Sequence, residues 1–366
     1  MIISRLEFDR FRNLKKGEIA FDKGINVIYG ENAQGKTNIL EAIWLFTGAK
    51  SFRGAKDGEL IQYDQKGAEL KLDFFAEKRD QTATIRLGEK KDAELNGVKK
   101  GTPSKFGGVI KGVIFSPDHL SLIKDGPAER RAFLDLAINQ LTPSYAALNN
   151  KYNRAVTQRN SVLKDMRFNA GLDSILDAYE RQIALLGCKI IKFRKRYIEL
   201  INRFAPEIYS GISGGKEKIS IDYVTAADDE ESLAEQLYLS RNEDISSGVT
   251  SVGPHRDDIE VLINGHSARR FGSQGQQRYC VLTLKLCEAA IIYDISGEQP
   301  IILLDDVMSE LDEGRQDYVL NAIGERQVFI TCCDKNSVSR LKEGKGIKVS
   351  DGNIVEGLKV RVDKKL

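Results

Sequence analysis

The sequence predicts an α/β fold with a helical domain set into it. Three observations carry this reading. Short apolar runs broken by glycine and asparagine fill the first 120 residues, a glycine-rich loop joins an apolar run to a helical stretch at residues 30–37, and apolar residues in the middle recur every seven positions. With 366 residues, 41% hydrophobic and 30% charged, the chain has too much apolar material to be disordered and is long enough for two cores. Residues 1–120 and 241–366 are assigned to one domain, and residues 121–240 to an inserted, mostly helical one.

Taken in order, the runs at residues 2–8, 17–21, 25–29, 69–75, 82–87 and 112–115 read as strands, with one helix opening after Lys36. Thr142-Pro143 starts a helix, an N-cap residue followed by proline at the first helical position, and the pattern stays helical to about Arg167. A second helix is expected from near Asp173 to Phe204, ending before Pro206. Within it Ile183, Ile190, Tyr197 and Phe204 fall seven apart, and Leu186, Phe193 and Leu200 supply the other seam position, the signature of a helix laid along a partner. The turn at residues 168–172 is short, which makes the pair an antiparallel hairpin roughly 35–45 Å long. The acidic run Asp228-Asp229-Glu230-Glu231 reads as a solvated helix start. Beyond it, residues 260–264 form a strand turning at Asn264-Gly265, residues 276–293 a helix, and residues 301–304 and 328–331 two buried strands. The tail reads as a strand pair around Gly352 followed by Lys364-Lys365.

Lys and Arg number 55 against 53 Asp and Glu, a net charge of +2, so bulk charge gives no reason to bind nucleic acid or an acidic membrane; any basic surface must be local. No apolar run reaches the roughly 18–20 residues of a membrane span, and the first residues are charged too early for a signal peptide, so a cytoplasmic protein without membrane contact is expected. The five cysteines are odd in number and contain no CxxC pair, which reads as reduced core residues. His119, His255 and His266 are too scattered in sequence to suggest a ligand cluster.

Gly30-Glu31-Asn32-Ala33-Gln34-Gly35-Lys36-Thr37 matches GxxxxGK[ST], after the apolar run 25–29 and at the opening of a helix that begins Asn38-Ile39. Such a strand, loop and helix aim backbone N–H groups at phosphate oxygens, with Lys36 reaching the β- and γ-phosphates and Thr37 binding Mg²⁺. The plain alternative is a glycine-rich turn before a helix. A second acid is needed for the metal, and the apolar run 301–304 ends in Asp305 and Asp306: Asp305 would hold Mg²⁺ and its water, and Asp306 would polarise the attacking water. Ser273-Gln274-Gly275-Gln276 precedes a helix and is either a second anion site or simply a helix cap.

The order of these words, closed by Ser309-Glu310-Leu311-Asp312, resembles the ATP-binding cassette head, in which the signature motif of one subunit closes on the ATP held by another. Arg12-Asn13, the stretch Lys36-Thr37-Asn38-Ile39-Leu40-Glu41 and the run from Leu303 through Asp312 resemble its SMC-like branch. Phe115-Ser116-Pro117-Asp118, Gly126-Pro127 through Arg130-Arg131, and Gly253-Pro254-His255-Arg256-Asp257-Asp258 narrow the resemblance to the RecF family of bacterial recombination mediators, over about residues 2–334. The resemblance implies an SMC-like P-loop ATPase head with a short helical hairpin where SMC proteins carry a long coiled coil. It also implies an ATP-dependent DNA-binding homodimer with weak ATPase activity, acting with RecR and RecO at gaps between single-stranded and duplex DNA to promote RecA loading. Arg12 and Asn13 join residues 30–38 and 273–276 as nucleotide contacts on the same ground.

Three departures accompany the resemblance. Asp306 stands where most cassette ATPases have glutamate, which suits slow turnover; residues 328–333 hold no switch histidine, Thr331 being a weak substitute; and residues 112–120 hold no glutamine for a Q-loop. For DNA, Lys189, Lys192, Arg194, Lys195, Arg196 and Arg203 make the second arm helix basic, either as a solvated face or as a phosphate contact. His255, Arg256, Arg269 and Arg270 leave the same choice open, with Arg256 a candidate ion pair with Asp257 or Asp258. A transporter nucleotide-binding subunit is opposed by the missing switch histidine, the helical hairpin and the SMC-like flanks. A P-loop kinase would leave residues 273–276 and 309–312 without a task.

Overall fold

The structure, a computed structural model, describes residues 1–169, 171–333, 343–355 and 359–361. Lys364, Lys365 and the end of the resemblance at Asp334 lie outside them. The chain divides into two compact units, Met1–His119 with Leu282–Leu366, and Leu120–Val281.

The first unit opens with β1 (Ile2–Asp9), β2 (Gly17–Ala20) and β3 (Ile25–Tyr29), then α1 (Lys36–Leu45). It continues through β4 (Ala68–Ala76), β5 (Arg79–Leu87), β6 (Asp92–Leu95), β7 (Val98–Lys99) and β8 (Gly112–Phe115). An antiparallel six-stranded sheet runs β2-β1-β4-β5-β6-β7. In β4 burial strictly alternates over most of the strand, the period-2 pattern of a sheet with one covered face.

The second unit is α2 (Ser121–Lys124), α3 (Pro127–Leu141), α4 (Ser144–Asp165), α5 (Asp173–Ser213), β9 (Ile219–Val224), α6 (Glu230–Leu239), α7 (Arg241–Ser247), β10 (Asp258–Ile263), β11 (His266–Ser267) and α8 (Ala268–Phe271). The helix α9 (Gln274–Ser296) then leads the chain back into the first unit. The return falls at Leu282, not at residue 241. The intervening residues are tied to the inserted unit: β10 pairs antiparallel with β9 from Asp258↔Val224 to Ile263↔Ile219, and buried Asp244 accepts from Arg159 Nη1 of α4 at 2.6 Å.

Back in the first unit come β12 (Ile301–Asp305), α10 (Glu313–Ile323), β13 (Val328–Cys332), β14 (Glu343–Ser350), β15 (Asn353–Val355) and β16 (Lys359–Arg361). The second sheet runs β15-β14-β3-β13-β12-β8, with β16 also on β14. From β14 to β8 all neighbours are parallel. β8, β12 and β13 are buried at every position, which is why they read in the sequence as unbroken apolar runs. β13 separates β3 from β12, so the carboxyl ends of all three lie side by side.

Two expectations for the arm change. α5 does not stop before Pro206; it carries the proline inside and ends at Gly214, whose φ of 74° closes the last turn. Proline removes one N–H from the helical ladder. Ala205, Tyr209 and Ile212 are all buried beyond or beside it, and that packing continues the helix. Of the first seam Ile183, Ile190 and Tyr197 are buried as expected, but Phe204, like Leu186 and Leu200, is only half-buried, and Phe193 is 36% exposed. The second seam is one position on, at Glu180, Gly187, Arg194 and Ile201, all buried. Arg194 is therefore no part of a solvated face: its Nη1 donates to Pro254 O at 2.6 Å and its Nη2 to Asp135 Oδ1 at 2.8 Å. Among the described residues no helix is long and apolar enough to cross a membrane.

Candidate functional site

β3 ends at Tyr29 and α1 begins at Lys36, so the intervening loop must reverse the chain within six residues. Gly30 has φ 155° and a Cβ there would lie 2.3 Å from Val349 O; Gly35 has φ 111° and a Cβ would lie 2.8 Å from both Asn13 Oδ1 and Leu14 Cδ2. Only glycine fits either position. The first turn of α1 contains no acidic residue and no side-chain cap, so the positive end of its dipole is left to an outside anion.

An open cavity of about 960 Å³ lies against this loop. Arg12, Asn13, Asn32, Ala33, Gln34, Gly35, Lys36, Thr37, Asn38 and Asp306 line it. Gly30 and Glu31 do not, but their carbonyls hold Lys36: Nζ donates to Gly30 O at 2.6 Å and to Glu31 O at 2.8 Å. Lys36 is thus half-buried on its own loop and not a free surface cation. Asn13 Nδ2 donates to Ala33 O at 2.9 Å and Asn38 Nδ2 donates to Asn13 Oδ1 at 2.7 Å, which fastens the loop to the segment after β1. Arg12 makes a bidentate pair with fully buried Glu41, Nε to Oε2 and Nη2 to Oε1, both at 2.9 Å.

Asp305, 7% exposed at the end of β12, accepts at Oδ1 from Thr37 Oγ1 at 2.9 Å and from Thr331 Oγ1 at 2.8 Å. Burial pushes its carboxyl pKa up, and the hydroxyls of Thr331 and Thr37 oppose that shift. Its Oδ2 receives no hydrogen bond among the described residues. A hydroxyl and a carboxylate beside a loop of backbone N–H groups are the hard oxygen donors that Mg²⁺ takes together with phosphate, so the residues fit that ion. Asp306 is exposed, with φ 53°.

Several lining residues had no signal in the sequence. Arg53 reaches in from the loop after α1 and donates from Nη1 to Asn38 Oδ1 at 3.0 Å; Gln62, Tyr63 and Gln65 form a further wall. The turn between β14 and β15 braces the loop: the Asp351 N–H donates to Gln34 Oε1 and the Gly352 N–H to Gln34 O. At the foot of β8 the Ser116 N–H donates to His119 Nδ1 at 3.1 Å, and burial holds the His119 pKa well below its usual value.

In the second unit, Ser273 caps α9 reciprocally with Gln276. Ser273 Oγ accepts from the Gln276 N–H at 3.2 Å, and Gln276 Oε1 accepts from the Ser273 N–H at 2.7 Å. Gln276 Nε2 continues to Glu217 Oε1 at 2.6 Å. Ser273 and Gln274 are exposed, and a Cβ on Gly275 would meet nothing nearer than 3.7 Å. Among the described residues Arg256 makes no ion pair with its neighbouring acids. It donates to Thr250 O, while Asp258 takes Arg130 and Asp257 takes the Tyr223 hydroxyl. Arg269 and Arg270 are exposed.

The model for the RecF/RecN/SMC N-terminal domain matches residues 2–356. A DNA replication and repair protein RecF of Lachnospira eligens is 38% identical over 361 residues, covering 97% of this chain and 99% of its own, and one from Clostridium acetobutylicum is 40% identical over 364 residues, covering 97% and 100%. A solved structure described as the recombination mediator RecF with ATP in the RecFOR pathway superposes with a TM-score of 0.92 at 35% identity, covering 98% of this chain and 97% of that one. The Smc head domain of Pyrococcus furiosus, at 18% identity and a TM-score of 0.57, shares the fold alone. Likeness over nearly the full length of both partners, in sequence and in fold, makes this chain a member of the RecF family of DNA replication and repair proteins, built on an SMC-like ATPase head.

Proposed function

We propose that the first unit binds ATP with Mg²⁺ and hydrolyses it slowly. In this reading the bound nucleotide pairs two copies of the chain on DNA where single strand meets duplex, and the dimer acts with RecO and RecR to help load RecA. The observation that carries the ATPase part is the meeting of Thr37, Asp305 and Asp306 beside the glycine-rich loop. A solved structure of a relative is described as the recombination mediator RecF-ATP in the RecFOR pathway, which supports nucleotide binding and a place in that pathway.

The chemistry follows from the residues. The N–H groups of the loop and of the first turn of α1 bind the phosphates. Lys36 leaves the Gly30 and Glu31 carbonyls for the β- and γ-phosphate oxygens, a charge-assisted exchange for two neutral acceptors. Thr37 and Asp305 would hold Mg²⁺, which neutralises charge on the phosphate oxygens as the terminal group transfers. Asp306, projecting into the cavity, orients the attacking water and accepts its proton. Its arm is one methylene shorter than that of glutamate, which agrees with a slow reaction.

Lys36→Ala is expected to weaken ATP binding by about 100-fold or more while the fold survives, because a charge-assisted contact to two phosphates is lost. Asp306→Asn is expected to keep ATP affinity and to slow hydrolysis about 100-fold, the low end of what a positioned base contributes. Nucleotide titration and single-turnover hydrolysis measure both. Unchanged affinity in Lys36→Ala discards the loop assignment, and wild-type turnover in Asp306→Asn removes Asp306 from the catalytic group.

A further inference from the structure

We propose that Thr331 is a positioning residue whose single hydroxyl holds both acids of the site in working relation; this rests on the hydrolysis reading above. The sheet order supplies the reason. β13 lies between β3 and β12, and its register sets Thr331 opposite Ile28 on one side and Asp305 on the other. Thr331 therefore sits between the end of the strand that leads into the loop and the end of the strand that carries the acids. Thr331 is 2% exposed, so its hydroxyl must be satisfied by protein.

A threonine hydroxyl has one proton to give and lone pairs to accept with. Ionised Asp305 can only accept, so the Thr331 proton goes to Asp305 Oδ1 at 2.8 Å. The lone pairs are then left for the Asp306 N–H, which reaches Thr331 Oγ1 at 3.0 Å. Asp305 is held from both flanks, since Thr37 Oγ1 donates to the same Oδ1 at 2.9 Å. With Oδ1 taken twice, Oδ2 is the oxygen left for a metal-bound water.

The second bond acts on Asp306. Its φ of 53° lies in the left-handed region, which is unfavourable for a non-glycine residue and persists only where the surroundings impose it. Its peptide groups are pinned at both ends: the N–H by Thr331, and the carbonyl by Ser309 Oγ at 2.7 Å. That conformation turns the carboxylate into the cavity, which Thr331 itself also lines. Ser309 Oγ also lies 3.2 Å from Asp306 Oδ1, so Thr331 shares Asp305 with Thr37 and Asp306 with Ser309, and among the described residues it alone bonds both acids.

Thr331→Val removes the hydroxyl at nearly constant shape, and Thr331→Ser keeps it. In the valine variant kcat is expected to fall about tenfold or more, the equivalent of one lost hydrogen bond in the transition state, with affinity for an ATP analogue held within about threefold. Mn²⁺ affinity of the ADP complex, read by electron paramagnetic resonance, should weaken about threefold or more in the valine variant, and serine should restore both properties. A Thr331→Val protein with wild-type kcat and wild-type Mn²⁺ affinity overturns the proposal and leaves Thr331 as packing. So does a serine variant as impaired as the valine one. If Thr331→Val fails to fold by circular dichroism, Thr331→Cys, near in size and a weak donor, takes its place under the same criteria. Should the wild-type protein hydrolyse no ATP, the hydrolysis reading falls, and the Mn²⁺ comparison still judges the role of Thr331.

Discussion

His255 has its two ring nitrogens committed in opposite directions. Nε2 lies 3.0 Å from Thr250 O, a pure acceptor, so Nε2 carries the proton and Nδ1 accepts from the Tyr152 hydroxyl at 2.6 Å. Burial is the main reason its pKa is lowered to about 4, with the charges of Arg256 and Arg131 adding and Asp244 and the Thr250 bond opposing. Unfolded, the ring titrates near 6.5. Between those values the unfolded chain binds more protons than the folded one, so stability is complete above pH 6.5 and is lost as pH falls toward 4. The loss is expected to be of the order of 3 kcal/mol, and urea melts at pH 7.5 and pH 4.5 should show a smaller drop in His255→Gln than in the wild type. An equal drop in both places the acid sensitivity elsewhere. The sequence showed this histidine, as it showed Arg194 and Arg12, but as free charges or contacts. What it hid was the partner: Asp135 lies 59 residues from Arg194, and Glu41 lies 29 from Arg12. Nothing in local spacing links such pairs. Conversely, the tight glycine turn around Gly30, Gly35 and Lys36 was legible because it is a local object, made from consecutive residues.

The same distinction explains the long helix. Its Ile183, Ile190, Tyr197 seam was legible because all three are apolar, whereas half of the companion seam is Glu180 and Arg194, which hydropathy assigns to the surface. Glu180 is buried because Arg159 Nη2 donates to it at 2.9 Å and Arg241 reaches it as well, and Arg159 itself is fully buried. A helix face built on paired charges reads as polar until its partners are known. With Arg194 buried, the basic face of the arm is smaller than its composition implies. Lys189, Lys192, Arg196 and Arg203 remain exposed, Lys195 is half-exposed and paired with Asp228, and Arg196 pairs with Glu199 at 2.8 Å. Surface pairs of this kind are worth about 1 kcal/mol at most and yield readily to phosphates. If the arm is the DNA surface, charge reversal at Lys192, Lys195 and Arg196 should weaken binding irrespective of base sequence, and it should reduce the slope of log affinity against log salt by about 2 to 3. Fluorescence anisotropy on gapped DNA at several salt concentrations reads both. An unaltered affinity and slope would make the arm a spacer or a docking element for a protein partner.

At the scale of the whole molecule, the α/β head and the inserted helical unit were both legible, because a buried parallel sheet writes continuous apolar runs and helical hairpins write long periods. The return point at Leu282 was not, since the run at residues 260–264 looks in isolation like a head strand but, as part of β10, belongs with β9 and β11 to a small antiparallel sheet inside the helical unit. That places the whole Ser273–Gln276 motif in the second unit, on the start of a 23-residue helix. Its serine has a task within one chain as the cap of α9, but its glycine has none: φ at Gly275 is not positive and a Cβ there would meet only ordinary contacts. A small residue unexplained by its own chain is what a closely approaching partner would require. ATP is therefore expected to join two chains, Ser273 and Gly275 of each completing the site around Lys36 of the other, and ADP, which lacks the γ-phosphate contacted from both sides, is expected to favour monomers. Gly275→Val should leave α9 and ATP binding by the monomer intact yet block pairing, and Ser273→Arg should do the same by bulk. Mixed with Lys36→Ala, either variant can form at most one composite site, made from its own intact loop and the signature of the Lys36→Ala chain, so hydrolysis should return to no more than half of wild type per dimer. Sedimentation with a non-hydrolysable ATP analogue decides the point: if both variants dimerise like the wild type, Ser273 is a helix cap and nothing more, and the pairing surface lies elsewhere.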